Sequence, residues 1–110
     1  MASLLDRIIA AELKESVIDV PQWGASIGIR EFTADQRMKF AEQAQKNASR
    51  ALVRSVIDCT FDPETKKPLF EPAHQDLLLE KSGAAIGVIS DAIIELSGMS
   101  AKSAETLEKN

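Results

Sequence analysis

One hundred and ten residues, 45% hydrophobic and 27% charged, are enough for one domain with a modest core and are not the composition of a disordered chain. A net charge of -4 argues against a dedicated nucleic-acid binder, which needs a concentrated basic surface. The single cysteine, Cys59, excludes an internal disulfide, and the absence of tyrosine leaves a mostly aliphatic core.

Ser3 is placed to cap a first amphipathic helix, Leu4 to Leu13, with Asp6 where its charge favours the positive helix end. Leu4, Leu5, Ile8, Ile9 and Leu13 share one side at 3.6-residue spacing, so this helix either docks on the domain or waits for a partner. Val17 to Val20 and Ile27 to Phe32 are β-rich runs. The connection between them, Pro21-Gln22-Trp23-Gly24-Ala25, suits a hairpin. Ile18 and Val20 share a face, as do Ile27 and Ile29, and Arg30 points the other way. Thr33-Ala-Asp-Gln36 is a capping box that opens a helix running to about Ile57. Its expected stripe is Met38, Ala41, Ala44, Ala48, Leu52 and Val56, opposite Lys39, Glu42, Lys46 and Arg50. Val53 and Ile57 fall off that stripe, which implies cover from two sides over the last turns.

Pro63 and Pro68 keep the stretch from Asp58 to Glu71 irregular, with Phe61, Leu69 and Phe70 available to pin it to the core. Pro72 suits the first turn of a helix carrying Leu77, Leu78 and Leu79, which Ser82-Gly83 interrupts or kinks. A strongly apolar helix follows. Ile86, Ile89, Ile93 and Leu96 form one face, Val88, Ala92 and Ile94 broaden it, and Gly98 caps it. Ser100 can open a last polar helix, Ala101 to Glu108. The fold expected is α+β and mainly α: a single domain over 1–110, with a small N-terminal β-hairpin packed on three to four helices. Residues 1–14 and 99–110 are the candidates for flexible ends.

No pattern marks an active site, so no catalytic, cofactor-binding or metal-binding residues are expected. His74 is the only histidine, which rules out a histidine-based metal cluster. Asp58, Asp62 and Glu64 lack the ligand spacing and the glycine of a calcium loop. Cys59 ends an apolar run and reads as a buried thiol with no base beside it. No serine sits in a nucleophile elbow. No leader is expected at Met1 to Ala11, and no segment approaches the ~20 apolar residues that cross a bilayer. Gly83-Ala-Ala-Ile-Gly87 permits close helix approach, expected inside the molecule.

Candidate partner contacts lie in two places. Trp23, on a turn stiffened by Pro21, reads either as a lid on the core or as an anchor for a partner. Ile86, Ile89, Ile93 and Ile94 read either as core or as surplus apolar surface for a partner or for self-association.

The sequence Val17-Ile-Asp-Val-Pro-Gln-Trp-Gly24, then Ile27-Gly-Ile-Arg-Glu-Phe-Thr33, then a long helix, resembles the tail assembly chaperones of long-tailed bacteriophages. Val56-Ile-Asp58, Pro68-Leu-Phe70 and Leu96-Ser-Gly98 extend the likeness, which covers roughly 14–98. Two features depart from it. Asp62-Pro-Glu-Thr-Lys-Lys-Pro68 lacks the glycine of the family's acidic Asp-x-x-Gly turn, leaving the hairpin there open, and the Leu4 to Leu13 helix has no counterpart. The resemblance implies a non-enzymatic protein of the host cytoplasm, absent from the mature virion. It implies binding to the tape measure protein, which the chaperone keeps soluble, and help in recruiting tail tube protein. The alternative is a small structural head–tail connector or adaptor of the virion. Neither needs nucleic acid, membrane or cofactor.

Overall fold

The computed structural model describes residues 3–99; the predicted Ala101 to Glu108 helix lies outside the described residues. The elements run α1 (Leu4–Ala10), β1 (Glu15–Val20), β2 (Ala25–Arg30), α2 (Ala34–Lys46), α3 (Ala48–Cys59), β3 (Thr60–Phe61), α4 (Gln75–Leu79) and α5 (Gly83–Leu96). This is the expected α+β, mainly α architecture, with one strand more than the hairpin. β3 joins antiparallel to β2, giving the order β1-β2-β3. Two residues are too few to show a period, so β3 leaves no mark on the sequence.

Alternation divides the sheet into two faces. Ile18, Val20, Ile27 and Ile29 lie on the inner face, against α5, in the core cluster that also takes in the buried side of α3. On the outer face Gly28 pairs with Phe61, whose ring lies across it. A Cβ at Gly28 would sit 2.3 Å from that ring, so glycine is what lets Phe61 close down on the sheet. Arg30 and Lys66 stand 5.1 and 4.9 Å from the ring centroid and complete its cover.

The expected long helix is two helices. Asn47 (φ -158, ψ 100) leaves the helical region and ends α2, while its Oδ1 accepts the Arg50 N–H at 3.1 Å and caps α3. The chain then folds back, bringing Cys59 at the end of α3 to 3.8 Å from Gln36 in the first turn of α2. This corner resets the helical phase. The single stripe therefore fails: Val56 is buried, but Met38, Ala41 and Ala48 are exposed. In α2 the inward side is Gln36, Phe40, Gln43 and Ala44, and Phe40 meets Phe32 at 5.2 Å. Val53 and Ile57 are buried, as expected of turns covered from more than one side.

α3 and α5 form the centre of the helical layer. Val53, Val56 and Ile57 pack with Ile86, Ile89 and Ile93 in one core cluster. Within this seam Ser55 and Ser90, both buried, meet at 3.0 Å, and Ser55 also donates to the Leu52 carbonyl. α5 ends as foreseen: Gly98 takes φ 73, its N–H reaches the Glu95 carbonyl, and Met99 N–H reaches Ile94. The Gly83-to-Gly87 pattern does not serve close packing within the molecule, because a Cβ at either glycine would meet nothing within 4 Å. Ala85 and Ile86 make the contacts there instead.

Candidate partner-binding surface

The connection between β1 and β2 is a single 3-10 turn, Pro21–Trp23, closed by Gly24 in the left-handed region with its N–H on the Pro21 carbonyl. Trp23 is half-buried and meets Phe70 edge-on at 6.3 Å; Phe70 in turn meets His74 at 6.2 Å. The indole thus ties the hairpin to the Leu69-Phe70 stretch and still shows part of its surface, while Pro21 is exposed.

The candidate isoleucines of α5 divide. Ile86, Ile89 and Ile93 are core residues, with 6%, 0% and 0% of their surface accessible. Ile94 is half-buried against the same cluster. The outward apolar side chain of this helix is Val88. What looked like surplus in α5 is needed to cover the sheet and α3 together.

The surplus lies in α1. Ser3 and Asp6 form a reciprocal capping box that starts this helix, and it ends at Ala10, three residues before the expected limit. No residue of α1 is buried: Leu4, Leu5, Ile8 and Ile9 are 62–73% exposed, and Leu13 beyond it is 39% exposed. Four large aliphatics on one seven-residue helix give an apolar face with no partner among the described residues. The 3.6 spacing was the signal for the apolar side; that the described residues leave it uncovered needed the structure.

Behind α1, Glu15 bonds Arg30 through two guanidinium nitrogens (2.6 and 2.8 Å) and Lys66 at 3.2 Å. The Arg30 guanidinium, then Lys66, holds the Glu15 carboxyl below its ordinary range. Burial, with some help from Asp58, pushes the Cys59 thiol up to about 12, so it is neutral and unreactive. His74 Nδ1 accepts the Glu71 N–H at 2.9 Å and serves as a cap. Among the described residues no three His, Cys, Asp or Glu side chains gather as a metal site, and no helix is long and apolar enough to cross a membrane. Among the described residues Cys59 and His74 are thus occupied by burial and capping.

No family model and no curated protein matches the chain. Among solved structures it is similar to the bacteriophage HK97 tail assembly chaperone, at 21% identity and a TM-score of 0.64. The match covers 84% of this chain and 95% of the other. The chain has a tail-assembly-chaperone fold.

Within that fold the missing glycine of the Asp62 to Pro68 turn has a physical account. Lys66 itself takes the left-handed conformation (φ 65), donating its N–H to the Asp62 carbonyl at 2.7 Å. Asp62 N–H bonds the Lys67 carbonyl, and Phe61 bridges to Pro68, so the hairpin closes. A side chain in this region costs about 1–2 kcal/mol. Here that same side chain reaches Glu15 and the Phe61 ring, contacts that glycine could not supply.

Proposed function

We propose that this protein is a bacteriophage tail assembly chaperone that binds the tape measure protein, keeps it soluble in the host cytoplasm and helps recruit tail tube protein. It leaves before the particle is complete and has no catalytic role. The observation that carries this reading is a tail-assembly-chaperone fold bearing an apolar helix face that the described residues leave uncovered. A long helical chain awaiting its tube exposes apolar stripes, and an amphipathic helix such as α1 pairs with such a stripe through i, i+3 and i+4 anchors. The net charge of -4 adds solubility to the complex.

Co-expression with the tape measure protein of the same phage is the direct test. The tape measure should stay in the soluble fraction with this protein and precipitate without it; equal solubility in both cases would end the proposal. Purified virions supply a second arm. They should lack this polypeptide, and stoichiometric amounts in mature tails would favour the connector instead.

A further inference from the structure

β1 is an open edge. Among the described residues the order β1-β2-β3 leaves one side of Glu15–Val20 unpaired. Opposed pairs in an antiparallel ladder alternate between bonded and non-bonded. The Glu31 N–H on the Lys14 carbonyl at 2.9 Å fixes the phase, so Ser16, Ile18 and Val20 bond their partners Ile29, Ile27 and Ala25. The amides and carbonyls of Glu15, Val17 and Asp19 therefore face away from the sheet. Native edges are commonly blunted by charged side chains, proline, a bulge or a covering element; on β1 the charges are the carboxylates Glu15 and Asp19, and Glu15 is engaged by Arg30 and Lys66. β1 has six residues in unbroken register and no proline, and Val17 is 57% exposed.

A trough of about 380 Å³ lies beside this edge, between β1 and the C-terminal half of α5. Ile18, Ala92 and Leu96 give it an apolar lining, with Lys14, Ser16 and Glu95 supplying polar groups. On the other face of the strand Asp19 accepts the Ser26 hydroxyl and has no cationic partner among the described residues. Glu15, by contrast, is already satisfied by Arg30 and Lys66. A second copy is a poor occupant. Pairing two β1 edges about Val17, the register that uses all three free residues, sets Glu15 directly against Asp19 at both ends.

We infer that the β1 edge accepts an extended peptide segment of a partner chain by strand addition, apolar residues entering the trough at alternate positions and a basic residue facing Asp19. Main-chain bonds to Glu15, Val17 and Asp19 supply affinity, and the trough and the carboxylate supply selectivity. This rests on the edge geometry and not on the proposed function, and its test uses no phage partner.

The probe is acetyl-Lys-Val-Thr-Val-Thr-amide, titrated into the full chain and followed by backbone amide NMR. Set antiparallel on β1, its lysine faces Asp19 and its valines enter the trough. The Glu15, Val17 and Asp19 amides should shift. N-methylation of both threonine amides, which bond β1, should weaken binding at least tenfold. N-methylation of the valine amides, which point outward, should change it less than twofold. Asp19→Lys, at an exposed side chain, should invert the preference so that acetyl-Glu-Val-Thr-Val-Thr-amide binds better. The inference is overturned if the two methylated peptides bind alike, if the shifts fall on α1, or if no β1 amide responds at millimolar peptide. It is equally overturned if β1 amides shift with protein concentration alone, which would give the edge to a second copy.

Discussion

Replacing Ile8 and Ile9 together by serine separates a waiting helix face from a packed one. Serine and isoleucine differ little in helix propensity, so α1 keeps its backbone preference. Both side chains are 62–73% exposed, so folding stability should change by no more than about 0.5 kcal/mol. Fully burying an isoleucine stabilises by about 1.5–3 kcal/mol. Roughly two-thirds of each surface remains for a partner to cover, which leaves about 1–2 kcal/mol per residue and 2–4 for the pair. At 1.4 kcal/mol per tenfold, affinity for the tape measure protein should fall roughly 30- to 700-fold. Thermal unfolding and isothermal titration on the same preparations read the two quantities separately. A drop in Tm of several degrees with unchanged affinity would mean the opposite, that α1 is spent on its own domain.

Three further outcomes follow from the interior. Gly28→Ala should destabilise by about 1–3 kcal/mol by driving a methyl into the Phe61 ring. Adding Phe61→Leu should cost less than the separate sums predict, and strict additivity in urea unfolding would count against the contact. Trp23→Ala should cost about 1–3 kcal/mol, below the range for a fully buried tryptophan, since the indole is half-buried on Phe70; an unchanged midpoint would show that it is no lid. Cys59 should resist thiol reagents in the folded protein and react at once in urea. Between the ordinary 9.0 and about 12 the folded thiol keeps a proton that the unfolded one has lost. Stability should therefore fall as pH rises through that window, and Cys59→Ala should flatten the slope.

Local chemistry was readable in the sequence wherever a short motif decides the outcome. The Thr33 and Gln36 box, the Ser3 cap, the Trp23 turn and the Gly98 terminus all rest on bonds within a few residues. The corner at Asn47 was missed because alanines on both sides continue a plausible stripe; asparagine's preference for caps over helix interiors was the one signal for it. Its capping of Arg50 matters only once α2 has somewhere to fold back. Periodicity placed Ile86, Ile89 and Ile93 on one face, but not whether that face met one neighbour or two. The same limit applied to α1, whose apolar side was legible while its solvent exposure was not.

The two hydroxyls between α3 and α5 act as an alignment key. Aliphatic attraction is non-directional, so it marks the alignment of two helices less sharply than a buried hydrogen bond does. Slipping α5 by one turn would part Ser55 from Ser90, the one polar meeting point noted in that seam. Ser55 would keep the Leu52 carbonyl, but Ser90 would lose its partner inside hydrocarbon, at about 1–3 kcal/mol. Ser82 and Gly98 set where α5 starts and stops, and the hydroxyl pair sets how far along the seam it sits, and so where Leu96 lies beside β1.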